Sequence, residues 1–174
     1  MGCSPQLGVC HDPINFARTV PGPKRYVLLV SASAQTPSIL AELLTRAGIV
    51  DPLVSARTDV EAVSNLHQPD REPPVAVFVD VPGLTDAMRL IAWIISSPTT
   101  RLIPVFAITG PTGPDRAEVE AYKPTAIISH PLNPSDIAKC IEMSPLLRGT
   151  KRPGGAPPAA SGGTSPPFSS LLAL

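Results

Sequence analysis

Five short apolar runs recur between about residues 26 and 128, and the stretches between them carry apolar residues at helical spacing. The third run is the densest. Val75-Ala76-Val77-Phe78-Val79 is apolar throughout, opened by Pro73-Pro74 and followed, after Asp80, by Val81-Pro82-Gly83. Short, continuous and rich in β-branched residues, it predicts a strand buried on both faces, as at the centre of a parallel sheet covered by helices. Asp80 then falls at the strand's carboxyl end, the edge of an open α/β sheet where ligands bind. An aspartate at that place can equally do no more than cap a turn.

The same pattern places the other elements. Tyr26-Val27-Leu28-Leu29-Val30 predicts a first strand, and the chain then passes through Ser31-Ala32-Ser33 into a helix. That helix has the stripe Ile39, Leu40, Leu43, Leu44 and Ala47, and Gly48 ends it in a left-handed conformation. A second strand is expected around Leu53-Val54. Thr58-Asp59-Val60-Glu61 has the form of a capping box, starting a helix with Val60, Val63 and Leu66 inward that Pro69 stops. Thr85 is expected to cap a third helix reaching about Ile95, with Trp93 in the core and Pro98 closing it. Leu102 to Ile108 predicts a fourth strand ending at Thr109-Gly110, with Pro104 near its start, where a missing donor is tolerated. A weak helix from Pro114 to Tyr122 precedes a fifth strand, Ala126-Ile127-Ile128, which ends at Ser129-His130-Pro131. Asn133-Pro134-Ser135-Asp136 is a strong helix start that turns Ile137, Ala138 and Ile141 to the sheet. Strand then helix, five times over, with right-handed crossovers predicts a three-layer α/β fold. It is flavodoxin-like, (βα)5, with a central five-stranded parallel sheet in the order 2-1-3-4-5.

Composition narrows the classes. At 174 residues, with 43% hydrophobic content, the chain is long enough for one ordinary domain and tails. Its formal net charge is zero, so it lacks the basic footprint of a nucleic-acid binder. No apolar run approaches the ~20 residues of a membrane span, and no charged region followed by an apolar stretch opens the chain. It reads as a soluble, cytoplasmic protein. Much of the abundant proline falls outside the five-run region, which divides the chain into an irregular arm (1–23), a folded domain (24–147) and a Gly/Pro-rich tail (148–174). The tail's composition cannot offset its ordering entropy, so it is expected to be disordered. Phe168 to Leu174 closes it with a short apolar patch, which reads either as a weak docking peptide or as nothing in particular. Cys3, Cys10 and Cys140 form no framework, and Cys3-x6-Cys10-His11 is not a usual zinc spacing. Gln6 stands where a myristoylation signal wants Ser or Thr.

Taken together, Asp80 after the third strand, Thr109 after the fourth and His130-Pro131 after the fifth resemble the response-regulator receiver domain. The apolar first strand, the leucine-rich first helix and the Asn-Pro-Ser-Asp start of the last helix also fit. That resemblance implies that Asp80 is the acceptor of a phosphoryl group from a kinase phosphohistidine and Thr109 the hydroxyl that contacts it. The partner it implies is a histidine kinase or phosphotransfer protein. The family's remaining site residues are absent. Its acidic pair, which helps to hold Mg²⁺, falls on Ser31, Ala32 and Ser33; its lysine falls on His130, and its switch aromatic on Ile127. Lys123-Pro124 imitates the family's Lys-Pro pair but precedes the fifth strand.

Mg²⁺ is a hard cation held through carboxylates and phosphate oxygens, so one remaining carboxylate predicts a weak site or none. An imidazole has a reference pKa of about 6.5, so His130 is a poor substitute for a fixed ammonium. It reads first as a strand-end imidazole satisfied by nearby backbone, while His67 reads as helix surface. The expected function is a stand-alone receiver-like protein in phosphorelay signalling, with Asp80 as candidate phosphoacceptor in a degenerate pocket. The alternative is a pseudo-receiver that works as a protein-interaction module without phosphate. An enzyme is not favoured. Gly110-Pro111-Thr112-Gly113-Pro114 has two prolines where a phosphate cradle needs backbone donors, and neither G-x-x-x-x-G-K-[ST] nor G-x-S-x-G occurs.

Overall fold

The computed structural model describes residues 25–111, 114 and 116–149. The arm, the tail from residue 150, Cys3, Cys10, and Thr112 and Gly113 of the Gly/Pro loop lie outside the described residues. Five strands carry the fold: β1 (Val27–Val30), β2 (Leu53–Ala56), β3 (Ala76–Asp80), β4 (Val105–Thr109) and β5 (Ala126–Ser129). All neighbours are parallel, in the order β2-β1-β3-β4-β5, so β3 is central as its unbroken apolar run requires. The helices are α1 (Thr36–Arg46), α2 (Asp59–Leu66), α3 (Ala87–Ser96), α4 (Arg116–Ala121), α5 (Pro134–Met143) and a short α6 (Pro145–Arg148). This is the predicted three-layer (βα)5 fold.

Strand parity sorts the core. Side chains alternate across a sheet, so Leu28, Val30, Val77, Val79, Val105 and Ala107 enter one layer with Leu90, Ile91 and Ile94 of α3 and Ala62 of α2. Val27, Leu29, Phe78, Phe106, Ile108 and Ile128 enter the other, against Leu40, Leu43 and Leu44 of α1 and Ile137, Cys140 and Ile141 of α5. The Phe78 and Phe106 rings meet at 5.0 Å across the β3–β4 pair. Leu147 of α6, at the end of the segment read as the folded domain, is fully buried in the second layer.

Several local readings are corrected. Ile39, Val60 and Ala138 face outward, and Cys140 takes the core position expected of Ala138. Thr85 does not cap α3; Asp86 holds the cap position without a side-chain bond, and α3 is held instead by burial of Ala87, Leu90, Ile91 and Ile94. The fourth strand starts only at Val105. Pro104 has no N–H to give a ladder, though its carbonyl accepts from the Val77 N–H at 2.9 Å, and Leu102 is left 83% exposed. Trp93 is only partly buried, its ring 5.3 Å from that of the exposed His67. Other signals are met as read. Gly48 ends α1 at φ 84. Thr58 accepts from the Glu61 N–H at 3.2 Å, while the Glu61 carboxylate reaches back to the Arg57 N–H rather than that of Thr58. Asn133 caps α5 by accepting from the Asp136 N–H at 3.0 Å.

Candidate functional site

Asp80 is the last residue of β3 and is 3% exposed. It continues the parity of Ala76 and Phe78, so its side chain lies on the α1/α5 side of the sheet. There both carboxylate oxygens have donors. Oδ2 accepts from Ser31 Oγ at 2.6 Å and from Thr36 Oγ1 at 2.9 Å. Oδ1 lies 3.2 Å from His130 Nε2. An ionised carboxylate only accepts, so Nε2 carries the proton in that contact.

Each donor is placed by a local feature. Ser31 follows β1 directly, and its backbone N–H is tied to the Ala56 carbonyl at 2.9 Å. Its Oγ also accepts from the Ser33 N–H at 3.1 Å, and Ser33 Oγ accepts from the N–H groups of Gln35 and Thr36. Ser33 thus satisfies backbone donors at the start of α1, where Gln35 supplies no side-chain cap. Thr36 is the first residue of α1, 2% exposed, with Pro37 after it fixing the helix entry. His130 follows β5 on the same face as Ile128; its backbone N–H donates to the Thr109 carbonyl at 2.7 Å. The backbone is what the Thr109 carbonyl satisfies, and the imidazole belongs to Asp80, which corrects the reading of His130 as a backbone-satisfied ring.

Thr109 is brought to the same sheet edge but not to Asp80. Asp80 pairs with Ile108, so Thr109 has the opposite parity and turns to the α2/α3 side. Its hydroxyl donates to the Ile128 carbonyl at 3.3 Å and lies 3.4 Å from Ser129 Oγ. Thr36 is the residue that reading the sequence missed. A threonine immediately before proline at a helix start, in the loop after a strand, was the available signal.

An open cavity of about 340 Å³ lies over the cluster, lined by Asp80, His130, Thr36, Ser33, Pro82 and Gly83 among others. Gly83, in the 3-10 turn that follows β3, comes close to Ala32: a Cβ there would stand 3.4 Å from that of Ala32. The donor set does not fit a divalent cation. A hard cation needs several charged oxygens, and here two hydroxyls and an imidazole surround a single carboxylate. Among the described residues no three His, Cys, Asp or Glu side chains cluster in a way that could hold a metal.

A buried aspartate closing the central strand, with donors from the ends of β1 and β5, defines a receiver-like α/β domain. No protein-family profile and no curated protein matches the chain. Solved structures do. The chain is similar to the signal receiver domain of a signal transduction histidine kinase from Syntrophus aciditrophicus, at 25% identity and a TM-score of 0.59, over 77% of this chain and 98% of that one. It is similar to the Mn²⁺-bound form of response regulator Rcp1, at 23% identity and 0.57, over 76% and 100%. It also matches the phosphorylated cyanobacterial phytochrome response regulator RcpA, at 21% and 0.56, over 69% and 89%. The chain has the response-regulator receiver fold, as the residues at its strand ends led one to expect. Among the described residues no helix is long and apolar enough to cross a membrane.

Proposed function

We propose that the chain is a divergent receiver of a two-component signalling pathway, with Asp80 as its candidate phosphoacceptor and a histidine kinase, phosphotransfer protein or other signalling protein as partner. It is a signalling module rather than an enzyme. The observation that carries this reading is Asp80 itself: a buried carboxylate at the end of the central strand, opening onto a cavity, in a fold shared with receivers over nearly their whole length. Phosphoryl transfer to it would be inefficient. The transition state spreads charge over the phosphoryl oxygens and needs metal or fixed cations beside them. Among the described residues His130 is the one cationic candidate in contact with Asp80, and unlike a lysine ammonium it is a cation only when protonated. Oδ2 already accepts from two hydroxyls, so attack through it would first give up one of those bonds.

That last feature favours a second reading, a pseudo-receiver that binds partners without being phosphorylated. Three protein donors satisfy the carboxylate without any cation. The test is phosphoryl incorporation from acetyl phosphate or a phosphorylated kinase, with and without Mg²⁺, in the unaltered chain and in Asp80→Asn. Slow labelling that Asp80→Asn abolishes supports the divergent receiver. No labelling, with partner binding unchanged by Asp80→Asn, supports the pseudo-receiver. Rapid Mg²⁺-dependent labelling of Asp80 would overturn the account of a degenerate site.

A further inference from the structure

We propose that the segment Phe168–Leu174 of this chain docks in an apolar groove at the N-terminal edge of the sheet, the edge opposite Asp80. The groove has a volume of about 410 Å³ and is walled by Pro74, Val75, Leu102, Ile103 and Leu146, with Arg25 on its rim. Val75, Ile103 and Arg25 each stand just before a strand, which sets the groove below the sheet. Two of its leucines are left in water: Leu102 is 83% exposed and Leu146 44%. Arg25, Glu72 and Thr99 also line it, but proline and aliphatic side chains make up most of its wall, which suits hydrocarbon.

The occupant follows from where the described chain leaves. Arg25 donates to the Leu146 carbonyl at 3.1 Å, and a Cβ on Gly149 would lie 3.9 Å from the Arg25 guanidinium. The tail therefore starts at the groove's rim. Between Gly149 and Phe168 lie 18 residues, 150–167, mostly Gly, Pro, Ala, Ser and Thr. At up to about 3.3–3.6 Å per residue they reach any part of the groove with length to spare. Beyond Pro166-Pro167, the segment Phe168-Ser169-Ser170-Leu171-Leu172-Ala173-Leu174 has four large apolar residues in seven, the densest apolar stretch outside the folded region. Tethering holds such a segment at roughly millimolar effective concentration, so a peptide of weak intrinsic affinity occupies the groove for much of the time. Residues 1–24 lead into Arg25, but their large aliphatic and aromatic residues, Leu7, Val9, Ile14, Phe16 and Val20, never stand two together.

The experiment compares backbone amide spectra of the full chain with those of the full chain carrying Phe168→Ser and Leu172→Ser together. The expected result is a shift of the Val75, Leu102, Ile103 and Leu146 amides with no shift around Asp80. In the full chain Leu102→Asp, at an exposed position that does not threaten folding, should in turn move the amides of residues 168–174. Groove amides that ignore the tail substitutions would overturn the proposal. So would shifts that grow with protein concentration, which would place a second copy in the groove. A groove that answers to Phe16→Ser but not to the tail would assign it to the arm, and would equally overturn the proposal.

Discussion

Because each oxygen of the Asp80 carboxylate has its own donors, single substitutions separate their contributions. Thr36→Val keeps the shape of the side chain and deletes a buried hydrogen bond to a carboxylate. It should lower stability by about 1.5–3 kcal/mol, the range for bonds to charged groups, measured by urea unfolding. A loss no larger than that of an exposed threonine would remove Thr36 from the cluster. The opposite experiment rebuilds the acidic pair. Ser31→Asp with Ala32→Asp places three carboxylates together, so the variant should be destabilised without metal and should gain Tm on adding Mg²⁺, while the parent does not respond. An equal Mg²⁺ response in the parent would contradict the misfit of the donor set. At this scale Asp80, Ser31 and His130 were legible, since each closes or follows a predicted strand. Thr109 was legible as a strand-end hydroxyl but not as one facing away, because its face depends on the register of β4 against β3. Thr36 was hidden because it belongs to a helix and meets Asp80 only after α1 has packed.

Helix faces were read with one repeated error that has a simple geometric cause. At about 100° per residue, Ile39 lies roughly 100° from the centre of the stripe made by Leu40, Leu43 and Leu44. Val60 stands similarly off the line of Ala62, Val63 and Leu66, and Ala138 off that of Ile137, Cys140 and Ile141. Each is an apolar residue flanking a stripe, and hydrophobicity alone does not distinguish the flank from the centre in a helix of two or three turns. Caps were more legible, because they depend on residues three apart in sequence. Thr58 and Asn133 cap as read; Thr85 does not, because the chain after Gly83 is extended and α3 begins two residues later. Thr58→Ala should therefore cost about 0.5–2 kcal/mol in chemical unfolding, the usual price of an N-cap. Thr85→Ala should cost almost nothing by the same measurement.

The whole molecule buries Cys140 where the sequence offered only an unpaired cysteine. Burial pushes its thiol up to about 12, from an ordinary value of 9.0, and the nearby Asp136 carboxylate adds to the rise. The unfolded chain then releases the thiol proton more readily than the folded one. The stability this contributes is present in full below about pH 9 and is lost as pH rises toward about 12. Measured against Cys140→Ala, the parent should lose about 2 kcal/mol of relative stability by about pH 10.5, at 1.36 kcal/mol per unit. Tyr26, also raised by burial, contributes equally to both proteins and cancels. A constant difference across that range would mean that the thiol is hydrated.

Five strands, their parallel order and the position of Asp80 at a strand end were determined by the sequence alone. The patterns that encode them are local: an apolar run of five residues, a helical stripe, a cap three residues ahead of its partner. The short crossovers then leave few topologies open. Which groups touch the carboxylate was decided only by tertiary structure. Strand parity sends Ser31, Asp80 and His130 to the α1/α5 face and Thr109 to the other, and parity acquires meaning only once the register of neighbouring strands is set. The resulting site is a carboxylate satisfied by two hydroxyls from the β1–α1 connection and an imidazole after β5, each far from Asp80 in sequence, because hydrogen bonding, unlike periodicity, depends on where side chains meet in space.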